Sequence, residues 1–376
     1  MPQTSLGSQT LSKRALNRAL LARQFLLVRA PISAYELIEH LVGLQAQEPH
    51  SPYISLWSRQ SHFDPQELSA LLIERKAVRM ALMRSTVHLV SADDALSLRP
   101  LVQPVLERSL RGSHGKYLVD FDFQALAERS RALLEQEPLM LNELGRRLQA
   151  SWPERDASAL AQAARAYLAL IQPPPRAIWG QSGQALHTPI ENWLGRPLEH
   201  APSIEKLVLR YLAAFGPASV RDMQNWSGLS KLREVFERLR PCLRSFRNED
   251  GLELFDLPDA PRPDSETPAP VRFLPDYDNI LLGHADRSRI IDEAHRQRLL
   301  SIPQGLLPRN LLVDGFFAGQ WVIQHLRKRA VLQIELIEPI DAASQSELIA
   351  EGEALLAWLA SDAEERDIQF GPLHKL

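Results

Sequence analysis

Two glutamines, Gln45 and Gln47, stand one residue apart at the end of the apolar run Leu41-Val42-Gly43-Leu44. A primary amide offers one acceptor oxygen and two donor hydrogens. It can hold a water by its oxygen while its nitrogen is anchored elsewhere, but it is a poor general base. Such a pair suits a reaction whose leaving group is already activated. The spacing alone also fits a plainer arrangement, and favours it: the C-terminus of an apolar helix with both amides in solvent.

The remaining polar candidates each have two readings. His88, within Thr86-Val87-His88-Leu89-Val90, points away from its apolar neighbours on a strand; it either lines a cleft or is a hydrogen-bonded structural histidine. The segment 283–290 supplies His284, Asp286, Arg287 and Arg289, either as contacts to a phosphate backbone or as an Asp–Arg network holding a loop. Arg79, Arg84 and Lys116 are further phosphate candidates, or solvated charges. Tyr53 and Trp57, four residues apart, read as core. His114, His187 and His325 show no metal-ligand spacing. The single cysteine, Cys242, excludes an internal disulfide, and no glycine-rich phosphate loop is present. The chain is predicted to need no metal and no cofactor.

The formal net charge of −3 conceals an uneven distribution. Residues 1–118 carry 14 basic and 9 acidic side chains, a net of +5, whereas residues 338–376 carry 2 and 9, a net of −7. A basic surface on one part of the molecule is compatible with a nucleic-acid partner. Arginine far outnumbers lysine; it forks phosphates and keeps its charge when half-buried, though a GC-rich genome also produces this bias. No apolar run approaches the roughly 20 residues that span a bilayer. The N-terminus has basic residues inside its apolar stretch and no small-residue cleavage site, so neither a signal peptide nor a membrane partner is expected. The default location is cytoplasmic.

These residues must be positioned by mixed α+β elements. Residues 203–258 give the clearest unit. Ser203 caps a helix with apolar residues Ile204, Leu207, Val208, Tyr211 and Leu212; a second helix runs from Ser219 to Gly228; a third carries Leu232, Val235, Phe236 and Leu239. Alternating strands then flank the turn Asn248-Glu249-Asp250-Gly251. Three helices and a hairpin predict a winged helix-turn-helix. A second copy is expected over about 123–190, and a third opens the chain, with helices over 12–27 and 33–47 and strands Val78–Met83 and Val87–Ser91. The expected units are 1–118, 119–200 and 201–260. After the Pro-rich linker 259–270 comes a β region, 271–376, whose alternation predicts an antiparallel meander that could close into a small barrel, followed by an acidic helix near 342–361.

Four blocks in order carry a resemblance: Leu41 to Gln47 with Tyr53 and Trp57, then 79–95 (RMALMRSTVHLVSADDA), 273–290 (FLPDYDNILLGHADRSRI) and 313–323 (VDGFFAGQWVI). Together they resemble the AlkZ/YcaQ family of DNA glycosylases over about residues 15–338. The resemblance implies three tandem winged helices around a positively charged cleft for double-stranded DNA. It also implies a catalytic pair, written Gln-x-Gln in one branch and Gln-x-Asp in the other, which Gln45 and Gln47 match in the first form. A DNA-contacting hairpin would fall in 304–322, around Asp314, Gly315, Phe316 and Phe317. The implied function is a monomeric, nucleoid-associated, monofunctional glycosylase that excises cationic N7-alkylated purines and unhooks interstrand crosslinks. The alternatives are a winged-helix transcription regulator, or a DNA-structure binder, without catalysis.

Overall fold

The computed structural model describes residues 9–300 and 309–373 and has a mixed α+β architecture. One element order occurs three times: a helix, a short strand segment, two helices, then two strands, the last pairing with the short segment. The first copy comprises helix Ala34–His40, strand Leu44–Gln45, helices Ser51–Arg59 and Pro65–Ile73, and the hairpin Ala77–Ala81/Val87–Ser91. The second comprises Phe123–Leu134, Leu139–Met140, Leu141–Gln149, Ala157–Tyr167, Leu170–Ile171 and Leu186–Pro189. In the third, helix Ile204–Phe215 precedes a single bridge from Ala218 to Phe255, then helices Val220–Ser227 and Arg233–Leu239 and the hairpin Arg244–Asn248/Glu253–Asp256. A capping box between Ser219 and Asp222 starts the middle helix of this copy, and Gly228, in left-handed conformation, ends it.

The copies are not strung out separately. The first two share one six-stranded sheet, joined where Met80 pairs with Ile171. The N-terminal segment leaves the first copy: strand Thr10–Leu11 runs parallel to Arg244–Asn248, and helix Lys13–Arg23 packs on helix Ile204–Phe215. Residues 1–118 thus contribute to two neighbourhoods, because Arg23 donates to the Leu212 carbonyl and forks Asp256 at 2.6 and 2.9 Å.

The helix expected over 33–47 stops at His40. Val42 at φ 55° and Gly43 at φ 92° turn the chain. A Cβ at position 43 would lie 2.4 Å from Val90 Cγ1 and 2.9 Å from the Leu89 carbonyl, so glycine is required for this close approach. Leu44 and Gln45 then pair with Leu89 and His88 as an added strand. With a period of two in place of 3.6, Gln45 and Gln47 fall on one side of the chain.

The C-terminal sheet has five strands in the order Arg272–Leu274, Arg309–Val313, Phe316–Leu326, Arg329–Leu336 and Glu365–Phe370. The first four are antiparallel, as the alternation predicts, and the fifth is parallel to its neighbour. The sheet is open and forms no closed barrel, since its two edge strands do not pair with each other. Helix Ala342–Leu359 covers one face, burying Leu348, Leu355 and Leu356 with Phe273, Leu332 and Ile334. Among the described residues no helix is long and apolar enough to cross a membrane, and no group of three His, Cys, Asp or Glu could hold a metal ion.

Candidate active site

The added strand carries Gln45 and Gln47 to the wall of a cleft of about 830 Å³ between the first two copies. Gln45 is nearly buried (8% exposed) and Gln47 is exposed. From the first copy the cleft also takes Ser85, Thr86 and Val87. The second copy contributes Asn142, Gln162, Arg165, Gln172 and His187, and Tyr277 comes from the segment after strand Arg272–Leu274. None of the lining residues is acidic.

Gln45 is held by its oxygen. Arg84 donates to Gln45 Oε1 at 2.6 Å, to the Trp226 carbonyl, and to Asn279 Oδ1 at 3.3 Å. Arg84 sits with φ 54° in the turn between strands Ala77–Ala81 and Val87–Ser91, which aims its side chain inward instead of into solvent. Burial, and secondarily Arg287, lower its pKa to about 10, so it stays a cation at neutral pH. With its oxygen engaged, Gln45 presents its NH₂ as donor. Gln47 Oε1 receives a long bond, 3.4 Å, from the Val87 amide, and its amide faces the cleft. On the far wall Arg165 donates to the Ser85 carbonyl at 3.2 Å. Gln172 and His187 meet at 3.3 Å, and among the described residues Gln172 Oε1 is buried without a hydrogen-bond partner. Burial lowers the His187 pKa to about 4, leaving a neutral imidazole at the site.

The other expected contacts fall elsewhere. His88 is fully buried; it lies beside Gln45 on the sheet, with Nδ1 3.0 Å from the Thr86 carbonyl and Nε2 without a hydrogen-bond partner among the described residues. Burial takes its pKa down to about 3, so it is neutral, and it does not reach the surface. Arg79 is 1% exposed and donates to the Ala46 carbonyl at 2.8 Å. His284 bonds the Phe215 carbonyl and Arg289 the Pro217 carbonyl, both buried; both face Asp222, so the network reading of this loop fits better than backbone contact. Arg287 is half-buried and Lys116 exposed against the Tyr117 ring.

Asp314 pairs with Arg14 and Arg18, and the backbone of Gly315 bonds Asn17. Phe316 and Phe317 continue into the sheet, with Phe317 N donating to the Ile290 carbonyl. This turn is clasped by helix Lys13–Arg23 and does not project as the expected DNA-contacting hairpin; residues 304–308 of that expectation lie outside the described residues. The local pattern gave no sign of Arg165, Gln172 and His187, which belong to another copy and meet Gln47 only through the shared sheet. Tyr277 had a signal, an aromatic between two acids in Asp276-Tyr277-Asp278.

The family profile described as "DNA glycosylase AlkZ-like" matches residues 38–358, most of the chain, and sets its class. The protein belongs to this family of DNA glycosylases and is an enzyme of that kind. A relative, the "Interstrand DNA cross-link repair glycosylase" of Streptomyces sahachiroi, is 25% identical, matched over 80% of this chain and 85% of its own length. The solved structure of Streptomyces sahachiroi DNA glycosylase AlkZ superposes with a TM-score of 0.78 over 96% of this chain and 100% of that one, at 20% identity, a likeness of fold.

Proposed function

We propose that the protein is a monofunctional glycosylase that hydrolyses the N-glycosidic bond of cationic N7-alkylated purines in duplex DNA, with Gln45 and Gln47 as catalytic residues. The three repeated element sets act as winged-helix units cradling the duplex. The observation that carries the reading is an exposed amide, Gln47, beside an oxygen-anchored amide, Gln45, in a cleft lined by no carboxylate.

Alkylation at N7 makes the purine a cation, so it leaves neutral without a proton from the enzyme. The bond breaks toward an oxocarbenium-like sugar, as in glycoside hydrolysis. What remains for the protein is to place a water and stabilise charge. Gln47 Oε1 accepts a hydrogen bond from the attacking water, which bonds the anomeric carbon as the base departs and releases its proton to solvent. The Gln45 NH₂, fixed by Arg84, donates to an oxygen of the water or sugar. With no carboxylate and with neutral His187, the site cannot drive off a neutral base such as uracil. The Streptomyces sahachiroi relative, an interstrand DNA cross-link repair glycosylase by name, supports extending the substrates to crosslinked purines. A regulator would have no use for these amides, and the family assignment does not favour it.

The test is incubation with a duplex bearing 7-methylguanine, a nitrogen-mustard interstrand crosslink, or uracil. Free alkylated base and alkali-labile abasic sites are expected from the first two and none from the third. Tight binding to one sequence with no base released would establish the regulator instead.

A further inference from the structure

Tyr277 stands out on the cleft wall. It is 38% exposed in a segment whose two neighbours are almost fully buried, Asp276 at 5% and Asp278 at 4%. Ser51 Oγ donates to Asp276 Oδ2 at 2.8 Å. Arg59 forks Asp278 at 2.8 and 2.9 Å, and Asp278 Oδ1 caps the next helix by accepting from Ile280 N. Pinned on both sides, the backbone between them adopts φ 57°. A bulky L-residue pays for left-handed backbone, and such outliers persist only where the surroundings fix them. The result is a ring held out over the same cleft as Gln45 and Gln47. The nearest packing alternative, a ring turned into the core, is excluded by its exposure.

Building on the function proposed above, we infer that Tyr277 is the aromatic platform on which the alkylated purine stacks, and that it selects for the positive charge on that base. A tyrosine face carries partial negative charge, so a cationic heterocycle lying on it gains a cation–π attraction that the unmodified purine lacks. No carboxylate in the lining competes for that charge. Lesion selectivity is thus assigned to the ring, and water placement to the amides.

The experiment measures affinity for a duplex with 2′-fluoroarabino-7-methylguanine, whose glycosidic bond resists cleavage, against the same duplex with guanine. Wild type is expected to prefer the cationic base. Tyr277→Phe keeps this preference within about threefold, whereas Tyr277→Leu lowers it on the order of tenfold. Replacing residue 277 with phenylalanines of increasing fluorination lowers the preference step by step, a trend that a merely structural ring would not produce. Undiminished preference in Tyr277→Leu, or a flat fluorination series, overturns the inference. Base release by wild type from the cleavable 7-methylguanine duplex is scored alongside. Release with a flat series removes the stacking role alone; no release and no preference removes the proposed function with it.

Discussion

Buried arginines in two regions of the molecule behave differently. Along the seam that ties the N-terminal elements to the third repeat and the C-terminal region, buried Arg23 and Arg59 and half-buried Arg210 pair with acids, Asp256, Asp278 and Asp94, while buried Arg289 bonds the Pro217 carbonyl. Around the strand that ends in Gln45, Arg79 and Arg84 form no ion pair among the described residues. Arg84 grips the Gln45 side chain and Arg79 the Ala46 carbonyl. Among the described residues, Nε and Nη1 of Arg79 have no hydrogen-bond partner. The seam uses charge to fasten, and its charges cancel. Around the site the charges of Arg79 and Arg84 go without an acid partner among the described residues, which costs stability.

The largest expected effect breaks the seam. Asp278→Ala strands Arg59 as a buried, unpaired cation and should cost about 3–5 kcal/mol in denaturant unfolding. A loss below about 1 kcal/mol would show that the seam is not the fastening it is taken for. By contrast, Gln47→Ala, at an exposed position, should change stability by no more than about 0.5 kcal/mol in the same measurement.

Acid tests the buried histidines. His88 (about 3), His187 (about 4) and His284, lowered by burial, are neutral in the folded protein. The unfolded chain binds these protons near pH 6.5. Their contribution is complete above that pH and declines as pH falls from 6.5 toward 4, by at most about 1.4 kcal/mol per pH unit for each histidine. The unfolding midpoint should therefore drop between pH 7 and pH 5, and a constant midpoint contradicts the burial. Because these groups stay neutral while Arg84 stays charged, base release should be flat from pH 6 to 8.

A smaller effect sharpens the contrast at the amides. Gln47→Asp supplies the carboxylate that the cleft lacks. Release should persist, and should acquire a dependence on pH in the carboxylate range that wild type does not show. A pH profile identical to wild type would mean that position 47 does not touch the reacting water.

Much of the architecture was legible because it is written locally. The third repeat declared itself through Ser219, Gly228 and the Asn248–Gly251 turn, and strand Val87–Ser91 emerged within its expected bounds. The helix through Gln47 was misjudged because the apolar spacing of 37–44 suits either element. What decides it is contact between Gly43 and Val90, 47 residues apart. Closure of the C-terminal sheet was misjudged for the same reason, since alternation fixes a strand's faces and says nothing of its edges. In the site, residue type and spacing offered the glutamines, but only the resemblance gave them a task. Arg84 read as a phosphate contact or a solvated charge, because nothing in Arg84-Ser85-Thr86 shows the left-handed turn that drives it to Gln45. The turn at Asp314 looked like a free hairpin because Arg14 and Arg18, its partners, lie about 300 residues earlier.

The central claim is that the amide of Gln47 handles the water that attacks the sugar. Single-turnover release of 7-methylguanine by Gln47→Ala, read beside duplex affinity and unfolding midpoint, tests it most directly. The account predicts a rate lower by on the order of 100-fold, the scale for removing one positioned polar group, with affinity and midpoint near wild type. Release at the wild-type rate from a protein that still binds the duplex would contradict it.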